Sequence, residues 1–291
     1  MSLGQPLDVS TFDVPGRGRG VIDVFRWRYL LRLLVRKGTA TRYRNSVLGW
    51  VWSYVKPGSQ FLIYYLVMGV ILQYHRDIEN FAIYLFSGII VVNLFNEAFG
   101  NATNAIVDNR ALVKKIYLPR ELFPVAAIIV AFVHFLPQLA ILLAVCLLVG
   151  WTPTLAGVAG VIAAALLVIA FALGLGLFFS GLNVRFRDAQ NFVDLIKMFS
   201  TWTSPVLYTW ILVADALRGY EWGLFLYMSN PITIAVELFH RGFWDATVEA
   251  THQLPTWFGS ASAVGGAVVI AALVIGQFTF RRFERTFAQD L

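Results

Sequence analysis

Residues 122–149 read LFPVAAIIVAFVHFLPQLAILLAVCLLV, and residues 155–182 read LAGVAGVIAAALLVIAFALGLGLFFSGL. Neither run contains Asp, Glu, Lys or Arg, and each exceeds the roughly 20 apolar residues that carry a helix across a bilayer. Only GWTPT (150–154) separates them, so they read as consecutive spans joined by a tight loop. Working outward, apolar blocks recur at about 57–73 and 81–99 before this pair, and at 189–213 and 257–280 after it. Backbone polar groups in hydrocarbon must be satisfied within the protein, and long unbroken apolar runs do that as helices. The expected fold is therefore an all-α polytopic membrane protein with six transmembrane helices. Lys56-Pro57 at the head of the first block predicts a kink or a re-entrant start. The half-apolar stretch 222–244 is divided by Asn230-Pro231 into halves too short to cross, which predicts a re-entrant helical hairpin between the fifth and sixth spans.

Composition agrees. The chain has 291 residues, 58% hydrophobic and 14% charged, with a mean hydropathy of +0.68. Soluble domains carry about 25% charged residues, so an ordinary soluble enzyme, a disordered chain and a disulfide-rich module are all excluded. Cys146 is the only cysteine and lies in an apolar block, where packing explains it. Four histidines without a Cys/His cluster give no metal site of recognisable spacing. A net charge of +6 would point to nucleic acid in a soluble protein, but here the placement of the charge decides. Of 23 Lys and Arg, all but Arg76, Arg218 and Arg241 fall in segments 1–57, 100–120, 183–197 and 281–291. The positive-inside rule puts those segments and both termini in the cytoplasm, in a multi-pass inner-membrane protein with no nucleic-acid partner. Residues 1–20 are polar and glycine-rich, with no signal-peptide pattern, and read as a flexible cytoplasmic segment. Segment 21–45 opens with Ile22, Phe25, Tyr29 and Leu33 at helical spacing and an Arg28/Arg32/Arg36 stripe on another side. That pattern predicts an amphipathic helix, lying in the headgroup layer or docked on the protein's own spans.

The chemistry is notable for what is missing. The sequence has no P-loop, no H-E-x-x-H, no G-x-S-x-G and no C-x-x-C. No catalytic, metal or cofactor residue is expected. Asn101-Ala102-Thr103 matches a glycosylation sequon but falls on the cytoplasmic side and is read as chance. Ionisable groups near or within the spans are Glu97, His134, Asp194 and Lys197, and such groups are functional candidates by default. Asp194 and Lys197 can neutralise each other three residues apart. His134 precedes Pro137 by less than one turn, where it could satisfy a carbonyl freed by the proline. Glu97 has no partner in its own helix and could line a polar path or pair with a cation elsewhere. Aromatic residues crowd the first and fifth spans. They read either as an interfacial belt or as rings lining a sugar path, with Tyr64, Phe99, Phe199 and Trp202 the lining candidates alongside Glu97. Tyr64 and Tyr65 are adjacent and cannot both face one lumen. The loop 101–118 reads as one compact amphipathic helix, with Ile, Val and Leu interleaved with Arg110, Lys114 and Lys115. It fits either a docking surface for a soluble partner or a headgroup-binding loop. Asn183-Val184-Arg185-Phe186-Arg187-Asp188 is a smaller loop of the same kind.

Six ordered motifs resemble one family. They are Tyr43-Arg44-Asn45-Ser46-Val47-Leu48-Gly49-Trp50-Val51-Trp52 with Lys56-Pro57; Leu112-Val113-Lys114-Lys115-Ile116-Tyr117-Leu118-Pro119; the 183–188 loop; Ser204-Pro205-Val206-Leu207-Tyr208; Asn230-Pro231; and Glu284-Arg285-Thr286-Phe287-Ala288. Together they resemble ABC-2-type permeases that export polysaccharides, over nearly the whole chain from about Arg26. The resemblance implies an ABC-2 transmembrane domain over 46–291 that homodimerises and binds two copies of a separate P-loop ATPase, which holds the ATP and Mg. It implies an ATPase-coupling helix carrying Arg110, Leu112, Lys114, Lys115 and Tyr117. It also implies that a lipid-linked polysaccharide enters near Leu48, Gly49 and Trp50. Within the family, the branch exporting O-antigens, teichoic acids and related glycans fits best, and the excess of Arg over Lys draws the comparison toward mycobacterial exporters of lipid-linked cell-wall galactan. Two other classes compete on the residues alone. A proton-coupled carrier would need a relay of ionisable groups or inverted repeats, and an enzyme acting on polyprenyl-linked sugars would need paired acids, whereas Asp108 and Asp188 stand apart.

Overall fold

The computed structural model describes residues 24, 26–42, 49–115, 118–186, 188–249 and 253–291, and every regular element among them is helical. In chain order the first helices are α1 (Arg28–Arg42), α2 (Trp52–Tyr64), α3 (Phe81–Asp108), α4 (Arg110–Lys115), α5 (Leu122–Leu148) and α6 (Leu155–Arg185). They are followed by α7 (Ala189–Trp202), α8 (Trp210–Ala216), α9 (Glu221–Met228), α10 (Pro231–Phe239), α11 (Phe258–Glu284) and α12 (Phe287–Asp290). Four of these, α3, α5, α6 and α11, are long and apolar enough to cross a membrane. α3 is the most enclosed, packed on α5 and α6 and touched by α2, α7 and α10.

The first block is helical through Pro57, where the sequence predicts a kink or a re-entrant start. α2 runs through the proline, where the missing N–H forfeits only the bond to the Ser53 carbonyl. It then continues as seven π-helical residues, Tyr65–Ile71, in which Gly69 comes close to the Phe81 ring. Left-handed Gln73 and Asn80 bracket the single helical turn Tyr74–Asp77 that returns the chain to α3.

The fifth block is not one helix over 189–213. α7 stops at Trp202, residues 203–209 are irregular, and α8 restarts at Trp210. Pro205 cannot continue a helix, and the carbonyls released by the break find donors inside the protein. Tyr84 Oη lies 2.9 Å from the Pro205 carbonyl and 2.8 Å from that of Tyr208, and Thr233 Oγ1 donates to Thr203 at 3.2 Å. Non-helical backbone inside an apolar bundle depends on such internal donors.

The stretch 101–118 is also divided. Residues 101–108 extend α3, and α4 is a separate short helix. Asn109 makes the break: its amide donates back to the Ala105 carbonyl at 2.8 Å, while its Oδ1 accepts from Lys37 Nζ at 2.9 Å. α1 packs on α5, where Gly38 brings the backbone close to Val130. The face of α1 turned to the bundle carries Leu34 and Gly38, while Tyr29 and Leu33, expected to form its apolar stripe, stay exposed beside the arginines.

Glycine sets the α6–α11 crossing. A Cβ on Gly174 would lie 2.6 Å from the Ala272 carbonyl carbon, and one on Gly276 would strike the Gly174 carbonyl. Small residues permit this backbone approach between membrane helices. At the opposite end of the bundle from Arg120 and Arg185, Asn230 caps α10 through Ile232 N (3.1 Å), with Pro231 at the first helical position. α10 continues as a π-turn, His240–Trp244, and is held by Trp151 Nε1 donating to Gly242 O and Trp244 Nε1 donating to Glu79 O.

Candidate functional site

α3 is apolar on three sides and polar on one. Asn93, Asn96, Glu97, Gly100, Asn101 and Asn104 recur at i, i+3, i+4, i+7, i+8 and i+11, which stacks them in a single stripe. That stripe lines a cavity of about 440 Å³. α2 closes it with Trp52, Ser53, Lys56 and Gln60, α5 with His134 and Gln138, and α7 with Gln190 and Lys197.

The walls are knitted by polar contacts between helices. Asn93 Nδ2 donates to Gln60 Oε1 (3.1 Å), and Ser200 Oγ donates to Asn96 Oδ1 (2.9 Å). Asn183 Nδ2 donates to Asn104 Oδ1 at 3.0 Å. Glu97 Oε1 lies 2.9 Å from His134 Nδ1, and the imidazole is buried while the carboxylate reaches the cavity. Lys197 pairs with Asp194 at 3.1 Å, as the sequence suggested. Each such bond spares a polar group the cost of burial in an apolar surround, so the cavity is a built polar space within the bundle. Asn101 is shared with a second space of about 510 Å³ under α1, where Lys37, Asp108 and Asn109 meet α5.

The sequence candidates fare unequally. Glu97 lines the cavity, and its partner is His134 on another helix. The His134 ring turns Nδ1 to Glu97, and its backbone carbonyl accepts from Gln138 Nε2 at 3.3 Å. Phe99 does not line this cavity: it is fully buried on the opposite side of α3, stacked on Phe95 and edge-on to Phe179. Tyr64 packs against the core below the cavity, and Phe199 and Trp202 stand exposed on the outside of α7. None of the three lines the cavity in the single chain. Gly49 adopts a left-handed φ of +47°, a conformation that favours glycine. Leu48 and Tyr117 lie outside the described residues, as does the Trp50 side chain. On α4, Arg110, Lys114 and Lys115 are exposed and Leu112 is half-buried, while Val113 anchors the helix in a cluster with Phe280 and Phe287. The asparagine stripe, Lys56 and Gln60 were missed, and their signal was helical periodicity of polar residues in a span chosen for its apolar content.

A second polar cluster joins the first turn of α3 to α10 and the π-turn that follows it. Buried His240 stacks on Tyr84 with ring centres 3.9 Å apart, and its Nε2 lies 3.1 Å from the Tyr84 carbonyl. Burial pushes the imidazole down to about 3, against the opposing pull of that carbonyl. Burial likewise pushes the Glu237 carboxyl up to about 8, with the nearby Asp245 charge adding to the shift.

Apolar helices long enough to cross a bilayer, enclosing a cavity walled by amides, a carboxylate and ammonium groups, define a multi-pass membrane protein with a polar interior space. The chain belongs to the ABC-2 type transporter family, whose model matches residues 29–244. It is similar to the O-antigen export system permease protein RfbA of Myxococcus xanthus, 29% identical over 274 residues that cover 94% of this chain and 99% of that one. It is also similar to an O-antigen export system permease protein RfbA of Klebsiella pneumoniae, 25% identical over 262 residues covering 90% and 95%.

Proposed function

We propose that this chain is the permease subunit of an ATP-driven exporter that moves a lipid-linked polysaccharide outward across the bacterial inner membrane. The observation that carries the reading is the asparagine-lined cavity. A glycan loses several kcal/mol for each hydroxyl left unpaired in hydrocarbon, and a stripe of amides inside an apolar bundle supplies both donors and acceptors. The relatives' printed roles in O-antigen export point to the same class of cargo. An O-antigen, a teichoic acid or a cell-wall galactan each fits such a lining.

On this reading the chain crosses six times, through α2, α3, α5, α6, the broken α7–α8 pair and α11, with both termini cytoplasmic. α9 and α10 form a hairpin that re-enters from the outer face, and α1 lies at the inner headgroup layer with Tyr29 and Leu33 toward lipid. Two copies of the chain pair, and each carries one P-loop ATPase, which binds the ATP and Mg. The exposed cations of α4, with Leu112 and Tyr117, transmit the ATPase movement, and the polymer enters near Leu48, Gly49 and Trp50.

Purification of the tagged chain from native membranes in mild detergent tests the reading. A P-loop ATPase should co-elute at one copy per permease, and export in vesicles should stop without ATP. A chain that elutes alone and transports without nucleotide would put the proton-coupled carrier in its place.

A further inference from the structure

α4 is six residues long, Arg110–Lys115, and a helix of that length keeps its shape only through packing. The side chain it buries is Val113. Val113 sits in a cluster with Ile106 of α3, Phe123 of α5, Leu177 of α6, Phe280 of α11 and Phe287 of α12. Leu112 and Leu291 adjoin that cluster half-buried, and α12 touches both α4 and α6.

Arg120 fastens α12 in this place. It is almost wholly buried. Its Nη1 donates to the Glu284 carbonyl at the end of α11, and its Cζ stands 5.6 Å from the centre of the Phe287 ring. A cation there fills an acceptor that the helix end leaves open and opposes the helix dipole, while the ring face adds a cation–π contact. Phe287 is fully buried and meets Phe280 edge-on, with ring centres 5.4 Å apart. Thr286 Oγ1 donates back to the Phe283 carbonyl at 3.1 Å and closes the turn between α11 and α12. Arg120 belongs to the segment that leads from α4 into α5, so the stretch of chain that bears α4 also binds the end of α11. α4 is thus attached on two sides, to α3 through Asn109 and to α11 through Val113, Phe287 and Arg120. α11 in turn meets the α6 backbone where Gly276 approaches Gly174.

We infer that Phe287 is a positioning residue for coupling: held by Arg120, it seats α4 on the end of α11, so that a shift of α4 is delivered to the α11–α6 pair as well as to α3. The inference rests on the reading of α4 as the element that meets the ATPase. On that reading Phe287 touches neither cargo nor nucleotide and acts through α4 alone. A short helix attached only at Asn109 would pivot about that residue when pushed. The second attachment removes the pivot and turns the push into displacement of the spans.

The full chain reconstituted with its ATPase in proteoliposomes tests this, through the ratio of glycan exported to ATP hydrolysed. Phe287→Ala should leave the ATPase bound and turning over, and lower the ratio at least about threefold, within the range by which a residue between coupled sites alters coupling. Phe287→Leu refills the seat with an apolar side chain and should restore most of it. Phe258→Ala empties a buried ring site at the other end of α11. It should lower the thermal transition without changing the ratio, which separates seating from general loss of stability. Val113→Ala should lower the ratio from the α4 side, and it carries the test alone if Phe287→Ala does not fold. The double variant should do no more than the worse single one, because both act through one contact. A wild-type ratio in the variants of the seat, an equal fall in Phe258→Ala, or additive losses in the double variant would overturn the inference and leave the exporter reading standing. The exporter reading fails separately, through wild type that exports nothing in response to ATP.

Discussion

Two buried residues carry sharply different demands. Tyr84 holds the broken fifth block together, because its hydroxyl faces the carbonyls of both Pro205 and Tyr208. Tyr84→Phe keeps the ring against His240 and removes only that oxygen. It should lower stability by about 1–3 kcal/mol, the usual cost of stranding a buried polar partner, read as an earlier thermal transition in detergent. Glu237 makes the opposite demand, since its burial favours the protonated acid. The folded carboxyl titrates near 8 against an ordinary value of 4.5, so the folded state holds the extra proton between those values and stability falls as pH rises through that window. Glu237→Gln, neutral throughout, should melt like wild type near pH 4.5. It should gain on it progressively as pH rises, and the gap should level off above about pH 8. Melting curves that stay parallel from pH 5 to 9 would show a carboxylate already solvated. At this scale Glu97 was legible because a lone acid in an apolar run stands out. The asparagines were not, because hydropathy averages four amides away among Val, Leu and Phe.

Helices were legible wherever apolar residues run unbroken, so α5 and α6 lie over the two quoted runs almost residue for residue. Where polar and apolar needs mix, the sequence misleads. The 189–213 block has the composition of a span, but Ser204-Pro205 interrupts it, and whether a proline bends or breaks a helix depends on donors that other helices supply. Tyr84 and Thr233 lie far away in sequence and carry no local sign of that role. The division at Asn109 has the same origin in Lys37. Crossings are as hard to read, since α11 carries glycines that matter and glycines that do not. Gly276 meets the Gly174 carbonyl, whereas Gly266 has open space around a Cβ. Gly276→Val should therefore force α6 and α11 apart and cost about 1–3 kcal/mol, the range for overpacking. Gly266→Ala should be neutral or slightly stabilising through helix propensity. Equal thermal shifts in the two variants would mean that the crossing is looser than the glycine contact implies.

For the whole molecule, the cavity and the basic surface around α4 are joined by one helix. α3 carries the polar stripe over its second half and ends at Asp108, with Asn109 alone between it and α4. α4 is too short to hold itself, and Val113 ties it to the same cluster as Phe280 and Phe287. On the proposed reading a push on α4 reaches the cavity wall through α3, from which only Asn109 separates it. Lys114 and Lys115 stand exposed at its tip, and on the proposed reading they are the cations that meet an acidic surface of the ATPase. Reversing both charges replaces attraction with repulsion, at about 1 kcal/mol or more per close contact even at high dielectric. Lys114→Glu with Lys115→Glu should cut export at least about tenfold, the equivalent of roughly 1.4 kcal/mol, while the fold and the ATPase's own turnover persist. Arg241→Glu, an exposed charge at the opposite end of the bundle, should leave export unchanged. Full export by the double variant would remove α4 from the coupling path, and an equal loss in Arg241→Glu would reduce the effect to net charge.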